Sequence, residues 1–203
     1  MKNLLIIFGL LVNSIYGQMS YKAADSIWLK FHPELNKLRP LNQDSVKIYF
    51  TKMINEYRLS NGLNLLKIDS LLKPVANDQL NYVTKLGKVT HEQPTKGKKT
   101  SSDRFKFYGL NPVSTGENLI ENVFYKNYRH FEMVSQLKSN SISYMYAKTL
   151  FEGWKTSVGH NKLMLTENYN KFYFDIKIVD VEGQTFLYGI TLLRKYKNKK
   201  GLN

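Results

Sequence analysis

The sequence predicts an α+β protein in which a short, mainly antiparallel sheet lies between helices, giving three layers, α-β-α. Two observations carry this prediction. Three long stretches have apolar residues at helical spacing, and a segment near the end of the chain alternates apolar and polar residues as a two-stranded hairpin does. Both faces of that hairpin are apolar, and a sheet covered on both faces requires a helical layer on each side.

The first two helices are predicted from their apolar faces and their end signals. Asp44 or Ser45 can cap the first, and the Asn61-Gly62 pair stops it. Asp69 or Ser70 can cap the second, and Gly87 ends it. The buried faces are expected to be Val46, Tyr49, Phe50, Met53, Ile54 and Tyr57, followed by Leu72, Val75, Ala76, Leu80, Val83 and Leu86.

The third long helix should bury Trp154 on its last turn, because apolar residues recur at helical spacing up to that position. Gly159 is predicted to end this helix, so that His160 lies on the connection that follows. A short helix is expected to begin at Ser102 or Asp103, and a short strand is expected to open at Glu117.

The hairpin follows this helix. One face of its first strand carries Phe172, Phe174, Ile176 and Ile178, and one face of its second carries Phe186, Tyr188, Ile190 and Leu192. Glu182-Gly183 is the predicted turn. Leu187, Thr191 and Leu193 make the other face apolar enough to be covered as well.

Length and charge limit the possible classes of protein. A chain of 203 residues suits one domain with a sizeable core. Its net charge of +14 favours acidic partners, such as an anionic membrane or a cell-wall polymer. We expect no nucleic-acid partner, because no nucleic-acid motif accompanies the charge. The chain has no cysteine, so it contains no disulfide and no lipid-modified cysteine.

The N-terminus has the layout of a cleaved signal peptide. Lys2 precedes a short apolar run from Leu4 to Val12, and the small residue Gly17 is the expected cleavage point. The run is shorter than the roughly 18–20 residues that span a bilayer. We therefore predict a secreted or periplasmic protein, with a signal peptide at 1–17, a lead-in at 18–43, the domain at 44–194 and a basic tail at 195–203.

Two histidines and a glutamate are the candidate site residues. His91 follows the predicted end of the second helix, Glu117 opens the predicted strand, and His160 follows the third long helix. Two neutral imidazoles and one carboxylate could serve as three ligands of Zn²⁺ with an open position for water. In a purely structural role, they would instead exchange hydrogen bonds and hold loops together. Spacing alone does not show that they meet.

The ordered series of motifs resembles the CAP superfamily, the secreted fold of cysteine-rich secretory, antigen 5 and pathogenesis-related (SCP-like) proteins, and especially its bacterial branch. The resemblance covers about residues 44–194. The motifs that carry it are Ile54-Asn55-Glu56-Tyr57-Arg58, Asn61-Gly62-Leu63, Leu72 with Ala76, His91, Arg104 with Gly109, Gly116-Glu117-Asn118, and Trp154, Ser157, Gly159 and His160.

The resemblance implies a cleft lined by two histidines and one or two acidic residues, often able to hold a divalent cation. His91, Glu117 and His160 fall on the matching positions. The second acid of the eukaryotic members would stand three residues after the tryptophan, where this chain has Ser157. That departure argues against tight metal binding and against catalysis that needs two carboxylates.

Two functions follow as alternatives. The first is a non-catalytic binding module whose cleft takes a small, anionic or amphiphilic ligand, with or without a divalent cation such as Zn²⁺. The second is a divalent-metal-dependent hydrolase, for instance a peptidase, that uses His91, Glu117 and His160. A hydrolytic triad of Ser157, His160 and Glu117 is conceivable from residue types, but no oxyanion motif accompanies it.

Overall fold

The structure is a computed structural model that describes residues 41–125, 141–181 and 184–195. The predicted signal peptide, nearly all of the lead-in, the Glu182-Gly183 turn and nearly all of the basic tail lie outside the described residues. The ten elements, in chain order, are α1 Gln43–Ser60, β1 Lys67–Ile68, a 3₁₀ turn Ser70–Leu72, α2 Lys73–Leu86, α3 Ser101–Phe107, β2 Ser114–Tyr125, α4 Ile142–Thr156, α5 Val158–Met164, β3 Lys171–Val181 and β4 Gln184–Lys195.

The four described strands form one sheet in the order β1-β3-β4-β2. β3 and β4 pair antiparallel as the hairpin predicted from the sequence, and β2 pairs antiparallel with the other side of β4. The two-residue β1 pairs parallel with β3. The sheet is therefore mainly antiparallel, as predicted, and β2 forms one of its edges.

Helices cover both faces of this sheet. On one face, α1 and α4 pack against β3 and β4 through a cluster that includes Phe50, Trp154 and Phe174. On the other face, α2 and α3 pack against β2 and β4 through a cluster that includes Val75, Phe105, Leu119, Ile190 and Leu192. Thr191 and Leu193 are fully buried on the first of these faces, and Ile190 and Leu192 are fully buried on the second. The α+β class and the three layers are therefore confirmed.

The ends of α1 and α2 agree with the sequence better than the starts of α1 and α3 do. Gly87 ends α2 with a φ of 68°, a conformation that glycine adopts without strain. The cap of α1, however, is Asn42, whose side chain accepts from the backbone N–H of Ser45, and neither Asp44 nor Ser45 caps it. α3 is capped by Thr100 in a capping box with Asp103, two residues before Ser102, the earlier of the two expected caps.

The connection that carries His160 also differs from the prediction. α4 ends at Thr156, and Ser157 has an extended backbone with φ −86° and ψ 119°. A second helix, α5, begins at once, so Gly159 and His160 lie inside a helix and not on a loop. Gly159 does not have the positive φ of a helix-ending glycine. The break is made by Ser157, which the apolar spacing does not reveal.

A fully buried arginine fixes α5 to α1. The Arg58 guanidinium donates to the carbonyl oxygens of Asn64 at 2.9 Å, Met164 at 2.6 Å and Thr166 at 3.1 Å. Burial lowers the pKa of Arg58. By binding the carbonyl of the last residue of α5, Arg58 sets the position of the helix that carries His160. In the described part of the chain, no helix is both long and apolar enough to cross a membrane.

Candidate functional site

The candidate site lies at the edge strand β2, where two neighbouring residues point to opposite faces of the sheet. Glu117 and Asn118 are both buried. Glu117 points toward the layer of α2 and α3, and Asn118 points toward the layer of α4 and α5. The Gly116-Glu117-Asn118 segment therefore contacts both helical layers at once. This explains how residues from separate layers can meet at the strand edge.

Glu117 is held by a buried arginine. The Nη2 atom of Arg104, in α3, donates to Glu117 Oε2 at 2.5 Å. The Arg104 side chain is 0% exposed and that of Glu117 is 2% exposed. A charge pair in so dry an environment is a strong, geometrically specific contact. The carboxylate is therefore neutralised from within the protein.

His91 lies on the solvent side of the same carboxylate. Its Nδ1 is 2.9 Å from Glu117 Oε1, and its side chain remains 57% exposed. Because the ionised carboxylate only accepts hydrogen bonds, Nδ1–H is the donor and Nε2 is left facing away from Glu117. Arg104 Nη1 also donates to the backbone carbonyl of His91 at 3.1 Å, and the buried Gln79 side chain donates to the carbonyl of Thr90. His91 is therefore held in two places: its ring by Glu117, and the backbone around it by Arg104 and Gln79.

His160 reaches the site from the other layer. Asn118 Nδ2 donates to the backbone carbonyl of His160 at 3.2 Å, which fixes α5 to the strand edge. Burial, and then the nearby charge of His91, lower the pKa of His160 from its ordinary value of 6.5. His91 and His160 therefore interact electrostatically at this strand edge. At neutral pH the imidazole of His160 is uncharged.

The structure thus brings His91, Glu117 and His160 together at one strand edge. Ser157 lies between α4 and α5, and its side chain makes no capping hydrogen bond to α5. Glu117 binds His91 and Arg104, and it makes no described hydrogen bond to His160. A Ser157–His160–Glu117 relay requires the acid to orient His160. The contacts among these described residues do not have that order.

The three predicted ligands do not fit a metal ion as a set. Within the described ranges, no group of three or more His, Cys, Asp or Glu residues has an arrangement that could hold a metal. Both oxygens of Glu117 are already bound, one of them by a guanidinium that would repel a cation. Any binding of Zn²⁺ would therefore depend on the two imidazoles, with Glu117 acting only to orient His91.

Sequence reasoning did not assign a role to Arg104, Asn118 or Gln79. Arg104 and Asn118 entered only as parts of motifs, although both contact the candidate residues directly. Gln79 lies four residues after Val75 and three after Ala76, so helical spacing places it on the buried face of α2. A lone amide on a buried face indicates a specific hydrogen bond, and this signal was available in the sequence.

The pKa of His160 should depend on the residue at position 91. We expect the His91→Gln variant to raise the pKa of His160 only partway toward 6.5, because the charge of His91 disappears while burial, the larger cause, remains. An NMR titration of the His160 ring protons measures this change. A pKa of His160 that is identical in both proteins would contradict the proximity of the two rings.

The lowered pKa of His160 also determines how the stability of the protein changes with pH. Because the folded protein binds a proton at His160 less readily than the unfolded chain does, stability is full above pH 6.5 and decreases as the pH falls through the folded pKa. Urea unfolding midpoints between pH 7.5 and pH 4.5 test this. The His160→Gln variant is the control, because it lacks this contribution to the slope.

Two solved bacterial structures share this fold. An outer surface protein of Borrelia burgdorferi is 18% identical with a TM-score of 0.54, and the match covers 76% of this chain and 94% of that protein. An extracellular protein with an SCP domain from Bacillus anthracis is 20% identical with a TM-score of 0.51, and the match covers 77% of this chain and 45% of that protein. At these identities, the likeness establishes the fold alone.

The sequence itself gives the family. A comparison with curated, characterised proteins found no match. The family model described as CAP, the cysteine-rich secretory protein family, matches residues 51–172, more than half of the chain. That range includes every residue of the site at the edge of β2, from Gln79 to His160. The chain therefore belongs to the CAP family, as its motifs predicted.

Proposed function

We propose that this protein is a secreted, non-catalytic binding module of the CAP family, and that the edge of β2 at His91 and His160 takes a small anionic or amphiphilic ligand. The observation that carries the proposal is the engagement of both Glu117 oxygens by Arg104 and His91. A carboxylate held in this way is not a free base or metal ligand. The imidazoles are the groups left to meet a ligand.

The charge of the site favours an anion. Arg104 neutralises Glu117, so each proton bound at His91 or His160 adds net positive charge at the strand edge. The net charge of +14 over the chain raises the local concentration of anions. A protonated imidazole donates hydrogen bonds from both nitrogens, and carboxylate or phosphate oxygens accept them. Binding of an anion should therefore strengthen as the pH falls.

The metal-dependent hydrolase has less support from the same geometry. Activation of water needs a metal with an open position or a general base that can receive a proton. Glu117 is bound to a guanidinium, and no three-residue ligand group occurs among the residues that the structure describes. The hydrolase stays the alternative, since two outward imidazoles could still hold a cation.

Export from the cell completes the proposal. Lys2 and the apolar run from Leu4 to Val12 have the layout of a signal peptide. The Bacillus protein of the same fold is described as extracellular and the Borrelia protein as an outer surface protein. An anionic membrane or cell-wall surface is then a further partner for the basic chain, and binding to such a surface would weaken as salt is added.

The test uses sodium decanoate, an anion with an apolar tail, in an NMR titration of the purified protein. We expect amide signals around residues 88–92 and 158–161 to shift, and to shift at lower ligand concentration at pH 5.5 than at pH 7.5. The His91→Gln/His160→Gln variant is matched in size and loses the response. Shifts elsewhere in the protein, or equal shifts in the variant, would contradict the proposal.

Three control titrations separate the alternatives. Inorganic phosphate tests whether an anion suffices without a tail, and octyl glucoside tests whether a tail suffices without charge. Calorimetry with Zn²⁺ on both proteins tests the metal. Binding of one Zn²⁺ that is lost in the double variant would favour the hydrolase alternative, and equal heats in both proteins would remove it.

A further inference from the structure

Three fully buried side chains on the α1/α4 face of the sheet carry polar atoms that have no partner among the described residues. They are Asn118 Oδ1, Thr191 Oγ1 and Trp154 Nε1. All three residues are 0% exposed. Buried polar atoms in folded proteins are almost always bonded to protein or to an ordered water molecule. Each of these three atoms therefore needs a hydrogen-bond partner other than the described protein groups.

The strand register places two of these side chains next to each other. Asn118 in β2 is directly opposite Thr191 in β4, and Thr191 is directly opposite Phe174 in β3. Directly opposite residues of antiparallel strands point to the same face, with Cβ atoms about 4.5–5.5 Å apart. Asn118, Thr191 and Phe174 therefore form a row across the sheet.

The tryptophan packs on the same row from α4. Its ring meets the ring of Phe174 edge-on, with the centroids 6.0 Å apart at an interplanar angle of 89°. The indole therefore packs against Phe174, whose neighbour in the row is Thr191. Three secondary-structure elements, α4, β2 and β4, thus each contribute to this part of the core one residue with an unpartnered polar atom.

The amide of Asn118 cannot satisfy these atoms by turning over. Its Nδ2 donates to the carbonyl of His160 at 3.2 Å, and a carbonyl accepts only from the NH₂ end of the amide. Reversing the amide would place two oxygens against each other. Oδ1 is therefore held as an acceptor on the side away from His160.

The geometry points to one internal water molecule bound by Trp154, Thr191 and Asn118. An indole N–H only donates, an amide oxygen only accepts, and a hydroxyl does both. A cation would be repelled by the indole N–H, and an anion would be repelled by the amide oxygen. Water, with two donors and two acceptors, matches all three atoms, and buried waters typically make about three hydrogen bonds.

This water would link α4 to the strand edge directly beneath the backbone of His160. Asn118 is the shared residue, because it binds the water with its oxygen and the His160 carbonyl with its nitrogen. The site is independent of any ligand at the imidazoles. It would be occupied in the free protein.

Thr191→Val separates the possibilities by the sign of its effect, because valine has nearly the shape of threonine without the hydroxyl. With a bound water, the variant loses one of the water's partners, and we expect the Tm to fall by about 2–4 °C. If the hydroxyl is unpaired, its removal raises the Tm. Thr156→Val, at an exposed hydroxyl at the end of α4, is the matched control.

Oxygen-17 magnetic relaxation dispersion and a high-resolution crystal structure of the wild type locate the water directly. We expect one long-lived water in the wild type that is missing from Thr191→Val, and density within hydrogen-bond distance of Thr191 Oγ1 and Asn118 Oδ1. A raised Tm, or a direct Thr191–Asn118 hydrogen bond with no water beside it, overturns the assignment. The wild-type measurements decide the question even if the variant does not fold.

Discussion

Replacing Arg104 with methionine should lower the free energy of unfolding by about 3–5 kcal/mol, because the change leaves the carboxylate of Glu117 buried and unpaired. The loss of the hydrogen bonds from Arg104 to the carbonyls of His91 and Lys98 adds to the effect. Urea unfolding followed by circular dichroism measures the change. Faster amide hydrogen exchange in the loop at 88–100 should accompany it, because Arg104 holds that loop.

A double variant and an exposed pair serve as controls for this prediction. Adding Glu117→Gln to Arg104→Met removes the unpaired charge and should restore part of the lost stability. Lys52→Met breaks the exposed pair between Lys52 and Glu56, which are 3.7 Å apart, and should change stability by less than about 1 kcal/mol. If Arg104→Met and Lys52→Met lowered the free energy of unfolding equally little, the buried pair would contribute no more to stability than the exposed one.

Truncation of Trp154 to alanine should also lower the free energy of unfolding by about 3–5 kcal/mol, because it opens a cavity between two aromatic neighbours. The Trp154 ring packs edge-on against Phe50 at 5.2 Å and against Phe174 at 6.0 Å. The side chain is fully buried in the core that joins α1, α4 and the sheet. Denaturant unfolding, with the m-value held as a check on two-state behaviour, measures the loss.

The matched control is Ile48→Ala, at a position of α1 that is 68% exposed. Substitutions at such positions usually change stability by no more than about 0.5 kcal/mol. A loss below about 1 kcal/mol for Trp154→Ala would mean that the surrounding core collapses into the space. The aromatic contacts would then contribute little to holding α4 on the sheet.

The parts of the fold that the sequence predicted are those with a local cause. Trp154 and Phe50 lie on the buried faces of their helices because apolar spacing along a helix decides which side meets the core. Gly87 ends α2 because a left-handed residue is needed there. Thr191 and Leu193 indicated a second covered face, and from it the third layer follows.

The parts that could not be predicted depend on contacts between distant residues, or on which of several equally suitable residues takes a given position. Asn42, Asp44 and Ser45 are all able to cap a helix, and only the three-dimensional path of the chain selects Asn42. The pairing of Arg104 with Glu117 joins a helix to a strand and leaves no periodic signal. The break at Ser157 is a single extended residue, too short to disturb the apolar spacing.

The edge position of β2 has a consequence beyond ligand binding. An unpaired sheet edge is a template on which another chain can add a strand, and natural proteins guard against this. At Gly116-Glu117-Asn118, the His91 segment lies against one face of the strand and α5 lies against the other. Arg104 holds the His91 segment, and the side-chain amide of Asn118 holds α5. Loosening either segment would expose this part of β2 to strand addition by a second copy of the chain.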